Sequence, residues 1–227
     1  MKAQKSHEEI ARPFFEKAER IEKYLTVLKN TPLPNKISRQ ITDVFTRYEE
    51  IQKNRMPFIE KNSGHLFSHP DLFLIVFLYK EISKIFNEVN QLVTNDQVCV
   101  EISPEVFSEM MQLRENLLAL AFIGDSALEL GVIRSIWPEG NSLKIPQKGN
   151  LDADKKIITA GEKQARLWDF LVPGDEEIPS LSPPSARVKS SRFEAIFGII
   201  YLEGGLDAVE TAILMLKKNL KNSEETD

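Results

Sequence analysis

The sequence predicts an all-α protein. Apolar residues recur at three- and four-residue spacing along most of the chain. No stretch alternates apolar and polar residues as a half-buried strand does. Prolines and glycines cut the periodic stretches into pieces of helix length. The composition, 42% apolar and 28% charged over 227 residues, is that of a globular chain and excludes fibrous, collagen-like and wholly disordered classes.

Taken in order, Ile10, Phe14, Ala18, Ile21, Leu25 and Leu28 form one helical stripe, which Thr31-Pro-Leu-Pro34 stops. Ile37, Ile41, Val44, Phe45, Tyr48 and Ile51 form a second, and Asn62-Ser-Gly64 reads as a loop. Ser68 is the expected N-cap of a third helix over about residues 70–93, with Pro70 in its first turn and Asp71 at the positive end of its dipole. Its run Leu72–Tyr79 is too apolar to stay exposed and is expected to pack against another helix. Ser103-Pro-Glu105 opens the next helix, with spacing carried through Leu113, Leu117 and Leu120. A further apolar helix is expected over 121–137, and a polar loop from Gly140 to Asn150. Residues 153–171 read as a helix, whereas 173–186, with four prolines in fourteen residues, do not. A helix over 188–202, a Gly204-Gly205 break and a last helix to about Leu220 complete the pattern.

Charge divides the chain. Residues 1–100 carry 15 basic against 13 acidic side chains, and residues 101–227 carry 14 against 21. The expected organisation is a helical N-terminal region of unknown role (1–100), a second helical domain (101–222) and a frayed tail (223–227). A net charge of −5 excludes a protein that coats nucleic acid through bulk positive charge, so contacts to phosphate must come from local patches. The N-terminus lacks the apolar core of a signal peptide, and no membrane segment is read; a cytoplasmic location is the expectation.

One cysteine, Cys99, excludes a disulfide framework within the chain and a cysteine zinc cluster. Between Val98 and Val100 it reads as a small buried apolar side chain. His7, His65 and His69 have no metal-ligand spacing and read as surface or loop residues. No glycine-rich phosphate loop and no Gly-x-Ser-x-Gly turn is present.

Two segments carry chemistry. Asp125 sits inside an otherwise apolar stretch, Leu118-Ala-Leu-Ala-Phe-Ile-Gly-Asp-Ser-Ala-Leu-Glu-Leu130, where a carboxylate needs a partner, a metal or water. Glu194 opens a second apolar stretch, Arg192-Phe-Glu-Ala-Ile-Phe-Gly-Ile-Ile-Tyr-Leu-Glu-Gly-Gly205. Gly198 lies one turn on, where a glycine lets another helix come close. On these facts alone, both acids are equally first-turn carboxylates that stabilise their own helices.

The two segments resemble the ribonuclease III family. Phe122-Ile-Gly-Asp125 matches the end of the family's first motif. Glu194-Ala-x-x-Gly198-x-x-Tyr201-Leu202, with Gly204-Gly205 behind it, matches the second. The resemblance covers roughly residues 104–220. Two of the family's four metal-site acids fall at Ala121 and Ser191 here. The Mini-III branch has this pattern: its first motif reads Leu-Ala-Leu-Ala-Tyr-x-Gly-Asp-Ala, close to Leu118-Ala-Leu-Ala-Phe-Ile-Gly-Asp-Ser126, and a serine or threonine stands three residues before its glutamate. Arg134 and Gln164-Ala165 also fall where that branch has an arginine and a Lys-x-Gln-Ala-like helix.

The resemblance implies a metal-dependent endoribonuclease that cleaves double-stranded or structured RNA in RNA processing, as a homodimer. Asp125 and Glu194 are then the catalytic ligands of Mg²⁺ or Mn²⁺, an ion that wants hard oxygen donors and keeps several waters. Glu129 and Ser191 stand behind them, each one turn away on the same face. Arg187, Lys189 and Arg192, in a stretch from Ile178 to Phe193 without an acidic residue, are candidates for RNA phosphate contact, and Lys144, Lys148, Lys163 and Arg166 belong to a second candidate patch. The surplus of apolar residues around Phe122, Ile123, Leu128 and Ile133 is the expected dimer face. The alternatives are a catalytically inactive RNA- or ribosome-binding relative, or a helical interaction protein. Trp137 and Trp168 read as core or interface anchors rather than base-stacking platforms.

Overall fold

The computed structural model describes residues 7–136, 161–172 and 184–224. The polar loop of Gly140–Asn150, Trp137, Lys144 and Lys148 lie outside them, as do 153–160 and most of the proline-rich 173–186. The fold is all-α, with no strand among the described residues. In chain order the helices are α1 (His7–Lys29), α2 (Asn35–Glu50), a π-helical turn (Ile51–Arg55), α3 (Met56–Ser63), α4 (Leu72–Thr94), α5 (Pro104–Met111), α6 (Leu113–Ile136), α7 (Gly161–Leu171) and α8 (Ala186–Glu224). They form two compact units: residues 1–54 with 69–117, and residues 55–68 with 118–227. The division falls near residue 117 rather than at 100, and α3 with the loop after it groups with the second unit.

In the first unit α4 is the central helix, in contact with α1, α2 and α5. The whole run Leu72–Tyr79 is buried, as its composition demands. The stripes of α1 and α2 face inward through Ala11, Ala18, Ile21, Leu25 and Leu28, and through Ile37, Ile41, Val44 and Tyr48; Ile10 is exposed. The Phe73 and Phe77 rings stack at 5.9 Å, and Phe86 meets Phe107 edge-on at 6.0 Å. Truncating such a ring removes its transfer energy and leaves a cavity. Phe73→Ala should therefore cost about 3–5 kcal/mol in chemical denaturation.

Three helix boundaries differ from the sequence expectation. The break expected near residue 121 lies at Gln112, and α6 then runs uninterrupted to Ile136. Nothing between Leu113 and Ile136 halts it, because leucine and alanine dominate there and both favour helix. Ser68 does not cap α4, which starts at Leu72 with Asp71 in the cap position. The Ser68 N–H instead donates to both Glu203 carboxylate oxygens at 3.1 and 3.2 Å. Asn62 and Ser63, read as loop, close α3.

The second unit is built on α8. Its first limb, from Phe193 to Ile200, is buried at nearly every position, and α3 and α7 pack on the helix. Gly205, at φ 67° and ψ −164°, kinks α8 where the sequence predicts a break. That backbone is open only to glycine at no cost. Beyond it, Arg134 at the end of α6 pairs with Asp207 at 2.7 Å and Glu210 at 3.3 Å.

Among the described residues one stretch, Leu113–Ser135, is long and apolar enough to cross a membrane by length and composition, which corrects the sequence reading that found none. The reason is that α6 is apolar on two faces. One face, with Leu120, Ala127, Leu128 and Val132, is core; the other leaves Leu118, Phe122, Leu130 and Ile133 exposed. Of the residues expected on a dimer face, Phe122 (75% exposed) and Ile133 are on the surface and Ile123 is half-buried. Leu128 is fully buried in its own unit and drops out.

Candidate active site

The site begins with two glycines. A β-carbon built on Gly124 would lie 1.7 Å from the Glu194 carbonyl oxygen and 2.6 Å from the Gly198 nitrogen. One built on Gly198 would lie 2.2 Å from the Leu120 carbonyl oxygen. Thus α6 and α8 cross backbone against backbone, closer than helices bearing side chains at the contact can pack. Gly131, two turns after Gly124, faces Ile213 and Val209 on the second limb of α8. Asp125 and Glu194 flank this crossing, one on each helix, which brings the two motif acids together.

Their charges act on each other. The Glu194 carboxyl is pushed up from 4.5 to about 7, first by partial burial and second by the neighbouring Asp125 charge. A carboxyl that holds its proton to neutrality beside another acid marks a place where positive charge is wanted. The folded protein binds this proton more tightly than the unfolded chain does. Its contribution to stability is full below about pH 4.5 and is lost as pH rises through about 7. The melting temperature of metal-free protein should therefore fall between pH 5 and 8, and Glu194→Gln should flatten that fall.

Gln164 supplies the third side of the site. It is 1% exposed, and its Oε1 accepts a hydrogen bond from the Ser190 hydroxyl. Its Nε2 has no full hydrogen bond among the described residues, yet it lies near enough to Glu194 to favour the anion there. Ser191, expected behind Glu194, is half-buried, and it is the preceding serine that bonds into the site. Glu129 is half-buried one turn after Asp125. Among the described residues no three His, Cys, Asp or Glu side chains converge as a metal cluster, so the acids on offer are the pair. Two carboxylates that repel each other fit a hard divalent cation that keeps most of its waters.

The basic residues divide. Lys163, Arg166 and Arg187 are exposed. Lys189 and Arg192, expected on the RNA surface, are buried. Lys189 Nζ pairs with Asp169 at 2.7 Å, and the Arg192 guanidinium lies over the Trp168 ring at 5.9 Å. Both tie α8 to α7 instead. Trp168 is fully buried, as expected of a core anchor.

Other polar residues are structural. His65 Nε2 lies 2.8 Å from a Glu203 oxygen, and the Phe67 N–H donates to Glu60 Oε1 at 3.0 Å, so Glu60 and Glu203 hold the loop after α3. His69 stacks on Phe15 at 3.7 Å. Cys99 is exposed, not buried, because it lies in the surface loop between α4 and α5.

The chain is similar to curated proteins named Ribonuclease 3. That of Leptospira interrogans is 27% identical over 124 residues, 53% of this chain and 50% of the relative. Those of Legionella pneumophila and Nitrosococcus oceani are 29% identical over 108 residues and 28% over 112, covering 45% and 47% of this chain and 47% of each relative. The chain thus spans about half the length of the curated relatives it matches. No family model and no solved structure matches. At 27–29% identity over about half the chain, these relatives support its likeness to the ribonuclease III family.

Proposed function

We propose that this protein is a divalent-metal-dependent endoribonuclease that cuts double-stranded or structured RNA, with the two-carboxylate site of the Mini-III branch. The observation that carries the reading is the crossing of α6 and α8 at Gly124 and Gly198, which sets Asp125 beside Glu194. Those two side chains are the ones to hold Mg²⁺ or Mn²⁺ through oxygen. When bound, the ion supplies Lewis-acid activation of water and neutralises charge at the phosphate.

The chain's own residues do the rest. Partial burial and the Asp125 charge push the Glu194 carboxyl up to about 7, so near neutral pH it must release a proton to act as a ligand. Glu129 adds negative charge one turn behind Asp125. Lys163, Arg166 and Arg187 offer exposed cations for phosphates, with Lys144 and Lys148 on the segment outside the described residues. Such contacts recognise the shape of an A-form duplex more than its sequence. A second copy docked on Leu118, Phe122, Leu130 and Ile133 would cover the exposed apolar face of α6 and give one site per strand.

The test is incubation of the protein with a labelled RNA duplex and with the matching DNA duplex, in Mg²⁺ and in chelator. The reading expects cleavage of RNA alone and only with metal. Duplex binding without cleavage in any metal would identify the non-catalytic relative instead.

A further inference from the structure

Gln164 has a feature that packing does not explain. Its helix faces inward through Ala165, Leu167, Trp168 and Leu171, so an apolar side chain would suit the position. A primary amide there is buried with its Nε2 lacking a full hydrogen bond among the described residues. Leaving a buried donor unmet costs about 1–3 kcal/mol. Its orientation is also determined. The Ser190 hydroxyl donates to Oε1, which turns the NH₂ the other way, toward the Glu194 carboxyl. Sequence neighbours do not make this arrangement: Gln164 is on α7, and Ser190 lies one helical turn before Glu194 on α8.

We propose that Gln164 is the positioning residue for Glu194, its amide aimed by the Ser190 hydroxyl so that one carboxylate oxygen is held and the other is presented to the cation. The proposal rests on the reading of Asp125 and Glu194 as the metal-holding pair. A carboxylate has two oxygens, and the Gln164 N–H can satisfy only one of them. The Nε2 that lacks a full hydrogen bond among the described residues faces that carboxyl, which offers it an acceptor oxygen. Partners of this kind, one shell behind a ligand, set metal affinity by about 10–100-fold.

The experiment uses the full chain with Gln164→Met, which keeps the volume and removes the amide, and Ser190→Ala, which keeps the amide and removes its guide. Mn²⁺ affinity is measured by electron paramagnetic resonance at pH 8 in the absence of RNA, and melting temperature without metal. Gln164→Met is expected to weaken Mn²⁺ binding about tenfold without lowering the metal-free melting temperature. A residue serving packing alone would show the reverse. Ser190→Ala is expected to weaken Mn²⁺ severalfold and to lower the melting temperature modestly, because the buried Gln164 Oε1 loses its donor. It decides the matter if Gln164→Met is unstable. Wild-type Mn²⁺ affinity in the folded variants overturns the role of Gln164 and leaves the metal pair standing. Absence of Mn²⁺ binding by the wild type overturns the metal pair, and this proposal with it.

Discussion

If the proposed function holds, Asp125→Asn and Glu194→Gln should each reduce cleavage of duplex RNA by about a thousandfold or more, because each would remove an anionic ligand from an ion asked to supply several kcal/mol of transition-state stabilisation. Stability should move the other way. The two carboxylates repel across the α6–α8 crossing, and burial already disfavours the Glu194 anion. Removing either charge relieves that cost, so metal-free melting temperatures above pH 7 should rise or hold. Helix-capping acids would behave oppositely: cleavage would survive and the melting temperature would drop. Cleavage gels and thermal melts on the same preparations separate the two accounts.

Gly124→Ala should be the most damaging small substitution in the second unit. Its methyl would have to occupy space 1.7 Å from a backbone oxygen of α8, and backbone cannot swing aside as a side chain can. The helices must separate, at a cost of about 3 kcal/mol or more, and Asp125 moves away from Glu194. Gly198→Ala meets the Leu120 carbonyl oxygen at 2.2 Å and should act alike. Gly131→Ala is the control. Its nearest neighbours are the Ile213 Cδ1 at 2.7 Å and Val209 Cγ1 at 3.0 Å, ends of side chains that can rotate. There the gain of about 1 kcal/mol in helix propensity offsets much of the crowding. Denaturation midpoints and cleavage rates for the three alanine variants should rank them in that order.

Much of this was legible in the sequence, for reasons local to each segment. The burial of Leu72–Tyr79 follows from its composition, and the kink at Gly205 from the paired glycines. Asp125 and Glu194 stood out because a carboxylate inside an apolar helix needs an account. What escaped was tertiary. Lys189 and Arg192 read as free cations because no acid precedes them back to Ile178, but Asp169 and Trp168 reach them from α7. Gln164 was visible as a branch-like residue and not as part of the site, since its neighbour Ser190 lies 26 residues away. A clue existed: it is the polar member of a face otherwise made of Ala165, Leu167, Trp168 and Leu171. Gly198 was read as a place of close approach, whereas its partner could be identified as Gly124 only once the helices were placed. Cys99, between two valines, reads as a buried apolar side chain, whereas its segment is a surface loop and the residue is exposed.

The central claim is that a divalent cation binds at the Asp125–Glu194 pair, and proton release tests it most directly. Because the Glu194 carboxyl titrates at about 7, Mg²⁺ binding at pH 7 should expel about half a proton per chain. Calorimetric titration in buffers of different ionisation enthalpy reads that number. The account predicts about half a proton at pH 7, close to none at pH 9, and none at either pH in Glu194→Gln. Mg²⁺ binding with no proton release at pH 7, or with the same release in Glu194→Gln, would contradict it.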